Sequence, residues 1–370
     1  MTKKEIAEIK KTLSPKKCCI DKICACYVTP EKDKVIIPVN NFLSSGEDEM
    51  DKYFDIFKKC LSGSIGKTLN TLEFPIEAEQ DGGHQKLLYE LKEDKLKDDE
   101  KVEELFNKII DCYDTPDYYC ILIMHGNYDV MTKGSDDADI DSDTVYGHII
   151  VAICPVNLSK PGLAYLPDKN QLKDSIRNWI VEMPTFGFLF PAFTDRMSDI
   201  HAVLTYAKKA TDITDVVIEN VLGCQIPVSS EIQAEGFAQA TLAAFDNQIT
   251  FEQASSIHTT LYDQISEHDA DTEAEPLIIG KDSMRNLLAQ NDAPSLDSFE
   301  DKYEEIFNDK ELFVENLLDK KKYVVKTDNI TISANPLYAG SIRVEEINGT
   351  RCIVIIPDGD IEVNGITTRG

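Results

Sequence analysis

With 370 residues, 42% of them hydrophobic and 28% charged, the chain has the composition of a globular protein long enough for more than one domain. Its net charge of −28 excludes indiscriminate binding of phosphate polymers by the whole surface. No apolar run approaches the roughly 18 residues of a membrane span, and MTKKEIAEIKK lacks the apolar stretch of a secretory signal. A cytoplasmic location with no membrane partner is therefore expected. The charge is unevenly spread. Residues 1–22 hold seven lysines against Glu5, Glu8 and Asp21, a balance of +4, and residues 145–210 hold seven basic groups against five acidic ones, a balance of +2.

In chain order, residues 2–13 read as a short helix, because Thr2 and Glu5 form a capping-box pattern and Ile6, Ile9 and Leu13 recur at helical spacing. KICACYV, the turn PEKD and KVIIPV suggest a hairpin. Residues 47–61 form an amphipathic helix with Met50, Tyr53, Phe54, Phe57 and Leu61 on one side. The dense charge of residues 77–104 suggests a solvated connector running into a helix near 99–113. Four β-branched or aromatic runs follow: YYCILIMH, VYGHIIVAIC, TFGFLFPAF and HAVLTYA. No long helix separates the first two or the last two, which predicts antiparallel pairing.

After residue 210 the pattern turns helical. Ser230 with Gln233, and Thr250 with Gln253, are capping boxes for helices near 231–245 and 251–266, joined by a short turn as an antiparallel pair. SEHDADTEAEP reads as an acidic linker. Asn348-Gly349 and Asp358-Gly359 are turn signals of a small C-terminal β-meander with strands near 341–347, 351–356 and 360–364. The expected class is α+β: a mainly antiparallel sheet with flanking helices, a helical pair and that meander. The expected boundaries are 1–209, 210–275 and 276–370.

Candidate chemistry is sparse. GSIGKT (63–68) resembles the end of a phosphate-binding loop but lacks the glycine five residues before Gly66, so a glycine helix stop at Gly63 is expected. Cys18, Cys19, Cys24 and Cys26 could supply thiolates to a metal, yet paired C-x-x-C knuckles are missing. In an extended strand Cys24 and Cys26 share one face, where buried thiols behave as small hydrophobes. DDADIDSD (136–143) alternates carboxylates like a calcium loop but lacks its glycine and its closing glutamate. His125, His148 and His201 stand near strand ends with Asp129 and Asp199 close in sequence, so convergence would give a metal or general-base site. His258 falls on the apolar face of its helix and reads as core. No cofactor is implied.

Several stretches carry a family resemblance: MTKKEIAEIKKTLSPKKCCIDKICACYV, AICPVNLSKPGLAYL, NWIVEMPTFGFLFPAFTDR and IPDGDIEVNG. The chain resembles, along essentially its whole length, a family of uncharacterised bacterial proteins from Gram-positive anaerobes that is named only as a domain of unknown function. That resemblance implies a bacterial cytoplasmic protein and no activity. The C-terminal KYVVKTDNITISANPLYAGSIRVEEINGTRCIVII is similar in rhythm to the C-terminal region of bacterial nucleoid-associated proteins.

The leading expectation is a non-catalytic binding protein, acting on the nucleoid or on another protein through the less acidic segments. Lys10, Lys11, Lys16, Lys17, Arg177 and Arg196 are its candidate contact residues. Two other readings compete with it. One is a metal-dependent enzyme built on His125, His148 and His201 with Asp129 or Asp199. The other is a protein-binding scaffold built on the helical pair, which predicts an exposed apolar patch there.

Overall fold

The computed structural model describes residues 1–370 except 18–19, 40–41, 43–45, 131, 134–138, 141–143, 272–273 and 369–370. Packing divides the chain into two compact units, Met1–Pro227 and Val228–Gly370. The class is α+β, and each unit has its own core. Among the described residues no helix is long and apolar enough to cross a membrane.

The β-branched runs of the first unit build one antiparallel sheet. Its strands are β1 (Ile20–Val28), β2 (Lys34–Ile37), β3 (Leu69–Glu73), β4 (Tyr119–Asp129), β5 (Val145–Leu158), β6 (Trp179–Val181), β7 (Phe186–Phe190) and β8 (Ala202–Ala207). Among the described residues the spatial order is β2-β1-β4-β5-β7-β8-β3, and β6 pairs with the far end of β5. The pleat sends successive side chains to opposite faces. On β4 and β5 the odd-numbered Ile121, Ile123, Ile149, Val151 and Ile153 enter one core, and the even-numbered Leu122, Met124, Ile150, Ala152 and Cys154 enter the other.

Helices close both faces. On the even face lie α1 (Lys3–Thr12), through Ile6 and Ile9, and α2 (Glu47–Cys60), through Met50, Phe54, Phe57 and Cys60. Thr2 and Glu5 make the expected capping box. On the odd face lie α3 (His84–Glu93), α4 (Asp99–Cys112) and α5 (Asp212–Val217) with the π-helical turn Ile218–Leu222 after it. The helix α3 replaces the solvated connector expected over 77–104. Its charges line the outside, while Leu87, Leu88 and Leu91 recur at helical spacing and are buried against the sheet. GSIGKT is the turn between α2 and β3, and Gly63 and Gly66 both adopt positive φ there.

The 14-residue β5 runs past the rest of the sheet and carries an arm. The arm holds β6 and a hairpin of Leu163–Leu166 with Gln171–Asp174, whose Leu163, Tyr165 and Leu172 are exposed. Trp179, the one tryptophan of the sequence, lies 4.8 Å from the Tyr118 ring, and Tyr118 stacks in turn on Tyr27 at 6.0 Å.

In the second unit, α6 (Ser230–Ala244), α7 (Phe251–Asp269), α8 (Lys281–Gln290), α9 (Leu296–Phe307) and the short α10 (Val314–Leu317) share one core. The turn after α6 does lead into α7, yet α6 packs chiefly on α9. Ser229 rather than Ser230 caps α6, accepting from the Ile232 amide. Thr250 and Gln253 make the expected box. His258 is half-buried, edge-on to Tyr323 at 4.8 Å. Ile232 and Leu242 on α6 are half-exposed. At the C-terminus Asn348 and Gly349 close the hairpin of Ile342–Ile347 with Thr350–Ile355. The next strand, Ile361–Val363, pairs forward with Ile366–Thr368 through the positive-φ turn Asn364-Gly365. The closing strands are thus separate hairpins, because Asn364-Gly365 is the turn that closes and Asp358-Gly359 only connects.

Candidate functional site

The sheet register decides what the histidines can do together. His125 on β4 stands opposite Ile149 on β5, and His148 stands opposite Gly126. The two imidazoles are therefore neighbours along the sheet that point to opposite faces. His148 goes to the even face, stacked on Tyr146 with ring centroids 4.9 Å apart and planes 14° apart. Gly126 leaves it room, since a Cβ there would stand 3.3 Å from His148 Nε2. Burial pushes the His148 imidazole down to about 4, its Nδ1 lies 3.4 Å from the Tyr146 carbonyl, and Nε2 has no partner among the described residues. His125 goes to the odd face, where its Nδ1 lies 2.8 Å from Asp21 Oδ2. Burial lowers its pKa and the Asp21 carboxylate opposes that shift. Asn127 Nδ2 donates to the same oxygen at 2.6 Å, and Lys95 Nζ lies 3.2 Å from it.

His201 is elsewhere. It precedes β8, two strand spacings or about 10 Å from β5 and three or about 14 Å from β4. It is exposed, its Nδ1 is 2.6 Å from Glu79 Oε1, and that hydrogen bond raises its pKa. Asp199 accepts from the His201 backbone amide, and Asp129 is exposed at the end of β4. The three histidines and two aspartates do not assemble into one site. A single-residue offset in register separates His125 from His148, and such an offset cannot be read from sequence.

Cys24 and Cys26 share the odd face of β1 as expected and are buried. Desolvation raises both thiols, Cys26 to about 11, so both are protonated packing groups at neutral pH. Cys18, Cys19 and most of the aspartates of 136–143 lie outside the described residues.

Of the basic candidates, the lysines of α1 and of the turn after it lie beside the C-terminal end of α2. The capping box uses Glu5, which is buried, and Glu8 accepts from Tyr128 Oη at 2.6 Å and from Arg196 Nη2 at 2.8 Å. Both acids of α1 are thus turned inward, leaving Lys11 exposed at its end and Lys16 and Lys17 exposed in the 3₁₀ turn Pro15–Lys17, which packs on α2. Lys10 donates to Ser62 Oγ just past the end of α2. Burial lowers its pKa, and the ammoniums of Lys58 and Lys59 on the last turn of α2 lower it further. Lysines in last helical turns answer the helix dipoles, but crowding three of them goes beyond that need. Lys59 Nζ also sits 5.7 Å from the Tyr206 ring of β8, so α2 meets the less acidic 145–210 block here.

The two arginines diverge. Arg196 is held by Glu8, which spends its charge inside the first unit, and Arg177 lies exposed on the arm with Nε donating to the Ser159 carbonyl. Sequence reading missed Lys58 and Lys59. The acidic first turn of α2, with Glu47, Asp48 and Glu49, conceals the pair Lys58 and Lys59 in its last turn.

With this geometry in place, comparison with known proteins adds one fact. The family profile described as "Domain of unknown function (DUF4317)" matches residues 1–366. The chain belongs to that family. The match spans both units, so the family is defined by the sheet unit and the helical unit together. No curated protein matches the chain.

Proposed function

We propose that this family member is a non-catalytic binding protein whose lysine surface, at the C-terminal ends of α1 and α2, engages an anionic polymer, with nucleic acid the partner expected. The observation that carries this reading is the crowding of Lys10 by Lys58 and Lys59 in a chain of net charge −28. Like charges held together disfavour the free state, and phosphates that neutralise them recover that energy. The inward turn of Glu5 and Glu8 supports it, because α1 then presents lysines toward solvent at this end. The scattered placement of His125, His148 and His201 gives no comparable support to a metal-dependent enzyme.

Retention on duplex DNA across a salt series tests the reading. Binding is expected to weaken as salt rises, with the log–log slope falling by about 0.9 for each phosphate contact removed. Neutralising Lys10, Lys58 and Lys59 to Gln should reduce both affinity and slope. Neutralising the exposed Lys326 in the second unit should change neither. Unaltered retention after loss of the three lysines overturns this surface.

A further inference from the structure

A second constellation lies in the Val228–Gly370 unit and is independent of the lysine surface. At the last turn of α7, His268 and Asp269 approach Glu315 of α10, and one candidate ligand atom from each lies within 4.8 Å of the other two. The state of the imidazole is fixed by its neighbour. His268 Nε2 is 2.6 Å from the Glu275 carbonyl oxygen, which can only accept, so Nε2 carries the proton. In the neutral imidazole Nδ1 then holds the lone pair; that atom is buried and has no hydrogen-bond partner among the described residues. A metal-ligating histidine has its distal N–H held by a carbonyl in the same way, which leaves the other nitrogen for the ion.

Charge points the same way. Asp269 ends a helix, where the backbone dipole already accumulates negative potential, and Glu315 adds a second carboxylate. The cation now balancing them belongs to the protein: Lys320 Nζ lies 3.1 Å from Asp269 Oδ2 and 3.4 Å from Glu315 Oε2. One imidazole with two carboxylates suits a borderline divalent transition ion, since a nitrogen donor disfavours Mg²⁺ and Ca²⁺. Ligand bonds of about 2.1 Å set ligands about 3.4 Å apart in a tetrahedron, so the three side chains need to close by about 1 Å.

We infer that His268, Asp269 and Glu315 form a divalent transition-metal site in which the Lys320 ammonium competes with the ion. A bound ion clasps the C-terminal end of α7 to α10, and Lys320 keeps the site weak until it is displaced.

Titration of the full chain with Co²⁺ tests this, because the cobalt spectrum separates nitrogen and oxygen ligation from thiolate ligation by the cysteines. Excess Mg²⁺ in the buffer occupies sites made of carboxylates alone. Lys320→Met is expected to bind Co²⁺ at least tenfold more tightly than the wild type, with a nitrogen/oxygen spectrum and a Co²⁺-dependent rise in melting temperature. His268→Gln in the Lys320→Met background should lose that tenfold or more, and Glu315→Gln should do the same. The proposal fails if Lys320→Met gains no affinity, if His268→Gln leaves binding unchanged, or if the only spectrum is that of thiolate ligation.

Discussion

The two faces of the central sheet are built from the same strands and differ in what they do with charge. On the even face, α1 and α2 bury an apolar seam and gather Lys10, Lys58 and Lys59 at their ends, while His148 is buried there with no acid beside it among the described residues. On the odd face, α3 and α4 provide the cover, and His125 meets Asp21, which also takes Asn127 and Lys95. One sheet thus insulates two electrostatic environments.

Core truncations probe the comparison with the largest effects. Phe54 on α2 and Phe106 on α4 are both fully buried, on opposite faces. Phe54→Ala and Phe106→Ala should each destabilise the first unit by about 3–5 kcal/mol in urea unfolding. A much smaller cost for one of them would mean that one layer contributes little to the unit's stability.

Acid titration separates the histidines. His148 has a folded-state pKa near 4 against an unfolded value of 6.5, so the unfolded chain binds more protons between those values. Stability from its neutral burial is full above pH 6.5 and is lost as pH falls toward 4, by up to about 3 kcal/mol. His148→Gln should flatten the pH dependence in that window. His201 has the opposite sign, because its pKa is raised by Glu79: that contribution is full below pH 6.5 and is lost as pH rises through the folded value. Its exposure keeps the effect small, so His201→Gln should scarcely move the unfolding midpoint at pH 5.

A smaller effect sharpens the even face. Glu8→Gln weakens the hydrogen bonds that join α1 to Tyr128 and Arg196 and should cost about 1 kcal/mol. The Tyr128 hydroxyl, pushed up to about 12 by burial and by Glu8, should then titrate nearer its ordinary value. An unchanged Tyr128 titration would show that Glu8 does not hold it.

The strands were legible in the sequence because the β-branched runs were long and bounded by turns, and so were α1, α2 and α7, whose capping or apolar spacing was explicit. The helix α3 was hidden because HQKLLYELKE places its three leucines among six charged or polar residues and a tyrosine, and charge density masked the period. The acidic linker began too early: α7 runs to Asp269, which makes His268 and Asp269 helical residues rather than linker. Which way His125 and His148 point depends on pairing across strands, and no local pattern encodes that.

The arm on β5 makes the protein its own reporter. Its one indole, Trp179, is half-exposed on β6 and packed beside Tyr118, which leans on Tyr27. Emission excited at the red edge therefore comes from a single address at the rim of the sheet. An optical melting curve recorded this way follows the arm leaving its tyrosine bracket, so its midpoint will fall below that of a far-UV dichroism trace whenever the arm peels off first.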